Sequence, residues 1–208
     1  MKITSLEPWK GTFYKVFVDG EYFATLDAET LVGEHLHTGV EVDVQRLQEV
    51  RYASELRRAR ERALHLLEYR SHTRQELLDK LLRNYEREIC EDVVQRLEEI
   101  GLINDEDYAR RAAATMLGAK HYGEMRVRQE LLRRGIEREL VETVLEELDW
   151  DPHQELYELV QAKYLRLCVD EKGVRRATNA LLRLGYSYSQ VRDVLREFME
   201  EDSWQGVE

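Results

Sequence analysis

Apolar positions along this chain fall into two regimes. Residues 12 to 26 carry the β signal: Thr12-Phe13-Tyr14-Lys15-Val16-Phe17-Val18, then Asp19-Gly20, then Glu21-Tyr22-Phe23-Ala24-Thr25-Leu26. An Asp-Gly pair between aromatic and β-branched runs predicts a hairpin, because a type I′ turn needs positive φ at both central residues. Ile3 to Leu6 is a candidate third strand. A lone hairpin is marginal in water and must pack on something, here the segments that follow. From about residue 27 onward the spacing becomes helical, with apolar residues at i, i+3, i+4, i+7. Pro occurs only at Pro8 and Pro152, so nothing between them forbids helix by that route.

The predicted helices follow from caps and stripes. Asp27 caps a short helix over about 28–36, ended near Gly39, and Asp43 caps a helix starting about Val44. From Ser54 to about Arg70 a charged helix turns Leu56, Ala59, Ala63, Leu64 and Leu67 inward. Thr73 caps the next helix with Glu76 at the capping-box spacing, and that helix runs to Arg83. A third spans about 86–100 and stops at Gly101. Asn104-Asp105 restarts the pattern, with Tyr108, Ala109, Ala112, Ala113 and Met116 inward. Helices at about 125–134 and 137–148 follow, then a break at Trp150-Asp151-Pro152. Stretches 156–168, 173–184 and 187–200 complete the set. The stretch from Glu201 to Glu208 is expected to be a disordered tail.

These helices form a repeat. Leu81-Leu82-Arg83, Leu131-Leu132-Arg133 and Leu181-Leu182-Arg183 recur at a spacing of 50 residues. Each is followed by an apolar stripe: Cys90, Val93, Val94, Leu97; then Val141, Val144, Leu145, Leu148; then Val191, Val194, Leu195, Phe198. The first two stripes are 51 residues apart and the last two 50, so repeat one lacks a residue at its turn. Gly135 and Gly185 supply the left-handed helix exit in repeats two and three, and Asn84 is the expected substitute in repeat one. A fixed period of tens of residues marks a tandem array, whose units are too small to bury their stripes alone. The fold predicted is mainly α: tandem three-helix repeats in an elongated, curved array, with a small N-terminal β-hairpin or three-stranded sheet. The segments are 1–52 for the sheet module with short helices, 53–103, 104–151 and 152–201 for the repeats, and 202–208 for the tail.

Composition narrows the chemistry. No apolar run approaches the roughly 20 residues of a membrane span, and residues 1–7 lack the apolar core of a signal peptide, so a cytoplasmic protein is expected. Cys90 and Cys168 read as reduced, buried thiols. His35 and His37 are two apart and could not face one metal from a helix, and His65, His72 and Cys90 make no recognised metal spacing. No phosphate-binding glycine loop, nucleophile elbow or zinc-protease motif occurs, so no catalytic residue, metal or cofactor is expected. The net charge of −11 argues against a simple basic nucleic-acid binder, but leaves room for a local basic face. The middle helices and their leading loops are basic: more weakly Arg70, Arg74, Lys80 and Arg83, set against Glu76 and Asp79; then Lys120, Arg126, Arg128, Arg133 and Arg134, against Glu124 and Glu130; then Lys172, Arg175, Arg176 and Arg183. The third helices are acidic instead. In a stacked array equivalent helices share a side, so these cations form a broken stripe. It suits phosphates or an acidic protein surface, since Arg binds both bidentately. Ordinary surface Arg is the plain alternative.

On these residues the chain resembles the RecX family, regulators of the bacterial recombinase RecA. The resemblance rests on the Leu-Leu-Arg repeats with their Gly135-Ile136 and Gly185-Tyr186 turns, on Gly101-Leu102-Ile103-Asn104-Asp105-Glu106-Asp107-Tyr108-Ala109 between repeats one and two, and on the N-terminal hairpin. It implies a non-enzymatic monomer that binds the groove of the RecA–single-stranded-DNA filament. It also implies inhibition of recombination, ATP hydrolysis and stimulated repressor cleavage, in DNA repair and SOS control. The family supplies no catalytic residue to carry over. Single- or double-stranded DNA is the alternative ligand, for a sequence-tolerant DNA-binding repeat protein. A helical adaptor for other proteins is a third reading.

Overall fold

A computed structural model describes residues 1–205, with side chains through residue 199. Its N-terminal sheet is antiparallel in the order β1-β2-β3, with β1 at Ile3–Pro8, β2 at Phe13–Val18 and β3 at Glu21–Asp27. Asp19 and Gly20 take φ of 50° and 91°, as the Asp-Gly turn demands. The inner face buries Ile3, Val16, Val18, Ala24 and Leu26 together with Leu31, Leu36, Leu47 and Val50. Asp27 caps α1 (Ala28–Gly33), which stops short of the expected Leu36 as His35 turns left-handed at φ 54°.

The largest departure from expectation is α2, one continuous helix over Val44–Tyr69. Ser54 reads in sequence as the start of a second helix. It lies instead inside α2, buried, with its hydroxyl donating to Asp27 Oδ2 at 3.1 Å. With no Gly or Pro to interrupt it, the helix runs through. Asp27 also accepts from the Thr30 amide and hydroxyl, both at 2.8 Å, and from the Arg57 guanidinium. Burial alone would push the Asp27 carboxyl up. Arg57 and the three neutral donors outweigh burial and hold it well below the usual carboxylate range.

Two compact units follow from the packing. The first comprises residues 1–72 and 77–103, the second residues 73–76 and 104 onward. In the first, the latter half of α2, α3 (Arg74–Leu81) and α4 (Arg87–Glu99) enclose Ala59, Ala63, Leu77, Leu81, Cys90, Val94 and Leu97. In the second, α5 (Asp105–Leu117), α6 (Glu124–Arg133) and α7 (Arg138–Glu147) enclose Ala109, Ala113, Val127, Leu131, Val141 and Val144. The last trio starts with α8 (Pro152–Leu159) and ends with α9 (Glu171–Leu184) and α10 (Tyr188–Gln205), around Leu156, Leu181, Tyr186, Val191 and Val194. The recurring motif now has a physical reading. Leu81, Leu131 and Leu181 are fully buried at the exit of each middle helix, while Arg83, Arg133 and Arg183 are exposed.

Three expectations change. Asn84 does not take the left-handed conformation that Gly135 (φ 82°) and Gly185 (φ 96°) adopt. α3 ends at Leu81, not Arg83, and the amides of Asn84 and Tyr85 both return to the Leu81 carbonyl, at 2.9 and 3.1 Å. The shorter turn closes on one acceptor and needs no left-handed residue. The helix expected over 156–168 passes from α8 into a π-helical turn (Val160–Tyr164) and a 3-10 turn (Leu165–Leu167). α10 continues through Gln205, into the stretch expected to be a tail, of which residues 206–208 lie outside the described ones.

One joint occurs twice inside the second unit. The Gly123 amide, at the start of α6, donates to the Leu184 carbonyl at the end of α9 over 2.7 Å. Arg126 Nη1 donates to the neighbouring Arg183 carbonyl at 2.9 Å. Added Cβ atoms would lie 2.4 Å from the Gly185 backbone at Gly123, and 2.4 Å from Arg126 Cβ at Gly185. Fifty residues earlier in sequence, the Thr73 hydroxyl donates to the Arg134 carbonyl at 2.6 Å, and Gly135 faces Gln75 in the same way.

Two outcomes are expected. Gly185→Ala should destabilise the protein by roughly 2 kcal/mol or more, because left-handed strain adds to a backbone collision. Gly101→Ala, left-handed at φ 74° but with open space around it, should cost only about 1 kcal/mol. Denaturant titration of both variants checks the order. Asp27→Asn should cost about 1–3 kcal/mol at pH 7. Because the folded pKa is depressed, this stability is present above the unfolded value of about 3.9 and is lost as pH falls through the folded one. The gap between wild type and Asp27→Asn should therefore narrow below about pH 4, as read by denaturation at pH 7 and pH 3.

Candidate functional site

The sequence-derived cations separate by what holds them. Arg128, on α6, is engaged within its own repeat: Nε and Nη2 donate to Glu142 of α7 at 2.9 and 2.8 Å, and Nη2 also donates to Glu124 at 2.6 Å. Hydrogen bonds to Glu142 first, against some burial, and then to Glu124 raise its pKa further, while Arg128 lowers that of Glu142. Arg134 sits at the C-cap of α6, hydrogen-bonded to the Tyr108 hydroxyl and 3.9 Å from Glu76. Arg126 lies over the Tyr122 ring, 3.9 Å from its centre, and donates to the Arg183 carbonyl. These three fix neighbouring elements, and only Arg126 borders the exposed line described next.

The others, Lys80 apart, face solvent. On α9, Lys172, Arg176 and Arg183 are exposed along one stripe whose remaining position is Asn179. The intervals of four, three and four residues keep these side chains on one side of the helix. Among the described residues, the only ion pair that these and Arg175 make is the weak Arg175–Glu171 contact at 3.5 Å, in which Arg175 is 76% exposed. Asp170, the residue before the helix, is turned back to cap it, accepting from the Gly173 amide at 2.6 Å. On α6 the equivalent stripe is Arg126, Gln129 and Arg133, with Arg133 paired to Glu130 of its own helix. Lys120 lies in the turn before α6, 5.8 Å from the Tyr122 ring. Since the start of α6 abuts the end of α9, the two stripes meet at Arg183 and Arg126. In the first unit, Lys80 is half-buried on α3 and Arg83 is exposed in the turn after it.

The sequence reading passed over Asn179, Gln129 and Tyr122. Their signal was available as polar or aromatic residues on the same faces as the Arg positions. It also passed over Lys163 and Arg166, both exposed in the π and 3-10 turns ahead of α9. Positional comparison hides them, since Ala113 and Met116 hold the matching places in repeat two. The thiols of Cys90 and Cys168 are unpaired, and burial raises both pKa values, so neither is an activated nucleophile. Among the described residues no group of His, Cys, Asp and Glu could hold a metal, and no helix is long and apolar enough to cross a membrane. The arrangement can offer Arg, Lys and side-chain amides to a polyanion.

Comparison with known proteins bears on the fold and the family. A model of the first three-helix domain of RecX matches residues 59–97, and a model of the second matches residues 104–145. The regulatory protein RecX of Caldanaerobacter subterraneus subsp. tengcongensis is 28% identical over 187 residues, covering 89% of this chain and 93% of the relative. That of Clostridium botulinum strain Alaska E43 is 28% identical over 206 residues, covering 95% and 96%. A crystal structure of regulatory protein RecX superposes with a TM-score of 0.65 at 22% identity, covering 94% of this chain and 98% of the other. RecX from Lactobacillus salivarius gives 0.62 at 23% identity, covering 70% and 97%. Both domain models match in order over three-helix units, curated relatives align along nearly the whole length and solved structures share the fold, so this chain is similar to the RecX regulatory proteins from end to end.

Proposed function

We propose that this protein regulates RecA by binding the RecA–single-stranded-DNA filament along its groove. In this reading it acts as a monomer in the cytoplasm and inhibits recombination, ATP hydrolysis and stimulated repressor cleavage, so limiting the SOS response. The observation that carries the proposal is the exposed line Lys172, Arg176, Asn179, Arg183, continued by Gln129 and Arg133. Most of its cations are not committed to acids inside the protein. Arg176 donates through Nε to the Lys172 carbonyl, which leaves its Nη groups for phosphate or carboxylate, and side-chain amides add hydrogen bonds that carry no charge cost. Likeness to the RecX regulatory proteins supports RecA as the partner. Lys80, Arg83, Lys120 and Arg175 are peripheral contacts on this reading.

The same cations would also suit non-specific binding to naked DNA. The two readings differ in salt dependence. A duplex binder loses log affinity against log salt with a slope of about −0.9 per neutralised phosphate. Net charge ranks that reading second, since −11 opposes the approach of a free polyanion.

The test is RecA-catalysed, DNA-dependent ATP hydrolysis with and without this protein. Inhibition is expected at stoichiometric amounts, and its absence would remove the proposal. Arg176→Glu with Arg183→Glu should raise the half-inhibiting concentration at least about tenfold, roughly 1.4 kcal/mol, with helicity by circular dichroism unchanged. Arg128→Gln should behave in the opposite way. It should leave inhibition intact once folded and lower stability by about 0.5–1 kcal/mol, because the lost pair is partly exposed.

A further inference from the structure

The outer face of the N-terminal sheet carries aromatic rings where a solvated antiparallel sheet usually carries polar side chains. Phe17 on β2 stands opposite Tyr22 on β3, their rings edge to face at 6.0 Å and 75°. The Tyr22 hydroxyl bonds Thr25 on the same face at 3.0 Å. At the other end of the face lies Trp9, whose amide extends the ladder to the Phe13 carbonyl at 2.8 Å. Trp9 is 54% exposed and Tyr22 57%. Neither ring contributes to the core beneath.

Cations sit on these rings. Lys15 Nζ lies 3.9 Å from the centre of the Trp9 ring and Lys10 Nζ 5.6 Å from it, while Arg58 of α2 lies 5.1 Å from the centre of Phe13. Glu7 is directly across from Lys15 in the strand register. Even so, the Lys15 ammonium rests on Trp9 and makes no ion pair with Glu7 within 4 Å.

We infer that this face is a stacking platform for the bases of single-stranded DNA. Each base presents a π-face that an exposed ring can stack on, whatever the sequence, and cations beside the rings meet the phosphates. Phe13 to Phe17 spans about 13 Å at strand rise, room for two or three bases between the Trp9 and Tyr22 ends. A base stacking on Trp9 displaces the Lys15 ammonium, which then reaches a phosphate. An apolar peptide on the same rings would strip Lys10 and Lys15 of their ring contacts and offer nothing in return. The inference deepens the filament reading by giving the strand a second contact. Binding of free strands needs no RecA, so the two fail separately.

The experiment uses the full chain and two fluorescent strands of equal length, oligo(dT) and its abasic counterpart, which keeps the phosphates and lacks the bases. Oligo(dT) should bind more tightly and should quench the part of the tryptophan emission that Trp9→Leu removes. Trp9→Leu and Tyr22→Leu should each weaken oligo(dT) binding by about 5- to 100-fold and bring it toward the abasic affinity. Both side chains are exposed, so circular dichroism should be unchanged. Equal affinity for the two strands, no binding of oligo(dT), or folded variants that bind as wild type would each overturn the inference. Loss of RecA inhibition in the Arg176 and Arg183 variants, with the preference for bases retained, would bear on the filament reading alone.

Discussion

The contact on which the second unit depends is small: a backbone amide at the start of one middle helix donating to a carbonyl at the end of the next. It settles two unsatisfied groups at once, an orphan N–H at one helix end and an orphan C=O at the other. It is also charge-compatible, because the positive end of one helix dipole meets the negative end of another. Gly185 makes the approach possible. Its left-handed backbone ends α9, and its missing side chain leaves room for Arg126. Thr73 and Gly123 reach the same acceptor position by different chemistry, one through a hydroxyl and one through the amide.

The joint also decides which arginines are available. Arg126 and Arg134 lie at it, one held over Tyr122 and the other by Tyr108, so their guanidinium groups serve the seam between helices. Arg128 is spent on Glu142, which brings α6 and α7 together. What stays outward on α6 and α9 is the stripe, with amide side chains between the cations. A stripe of this kind discriminates by geometry as well as charge, since the spacing of its donors is fixed by helical rise.

Much of this was legible in the chain. Asp19-Gly20 dictates its turn wherever it stands between strands. Leu81, Leu131 and Leu181 betrayed the repeat because burial at a helix exit tolerates little change. Ser54 misled, because a residue type favoured at helix starts also serves as a mid-helix donor to a buried carboxylate. Asn84 misled as well: the sequence shows that a residue is missing, but not how the turn absorbs the loss. The partition of the arginines was out of reach. Arg128 and Glu142 are 14 positions apart, and only packing of two helices reveals that they meet. The facing of Phe17, Tyr22 and Trp9 likewise needed the strand register, including the shift between Val16 and Phe17.

The uninterrupted α2 has a consequence for how the N-terminal module should be regarded. At about 1.5 Å per residue, its 26 residues make a single strut about 39 Å long. Leu47 and Val50 near its start are sealed under the sheet, and Ala59 and Ala63 farther along are sealed in repeat one. Trimming away residues 1–43 would therefore bare a greasy helical flank on what remains. The sheet is a lid that this helix cannot shed, and any force on the sheet is delivered straight down the strut to the first repeat.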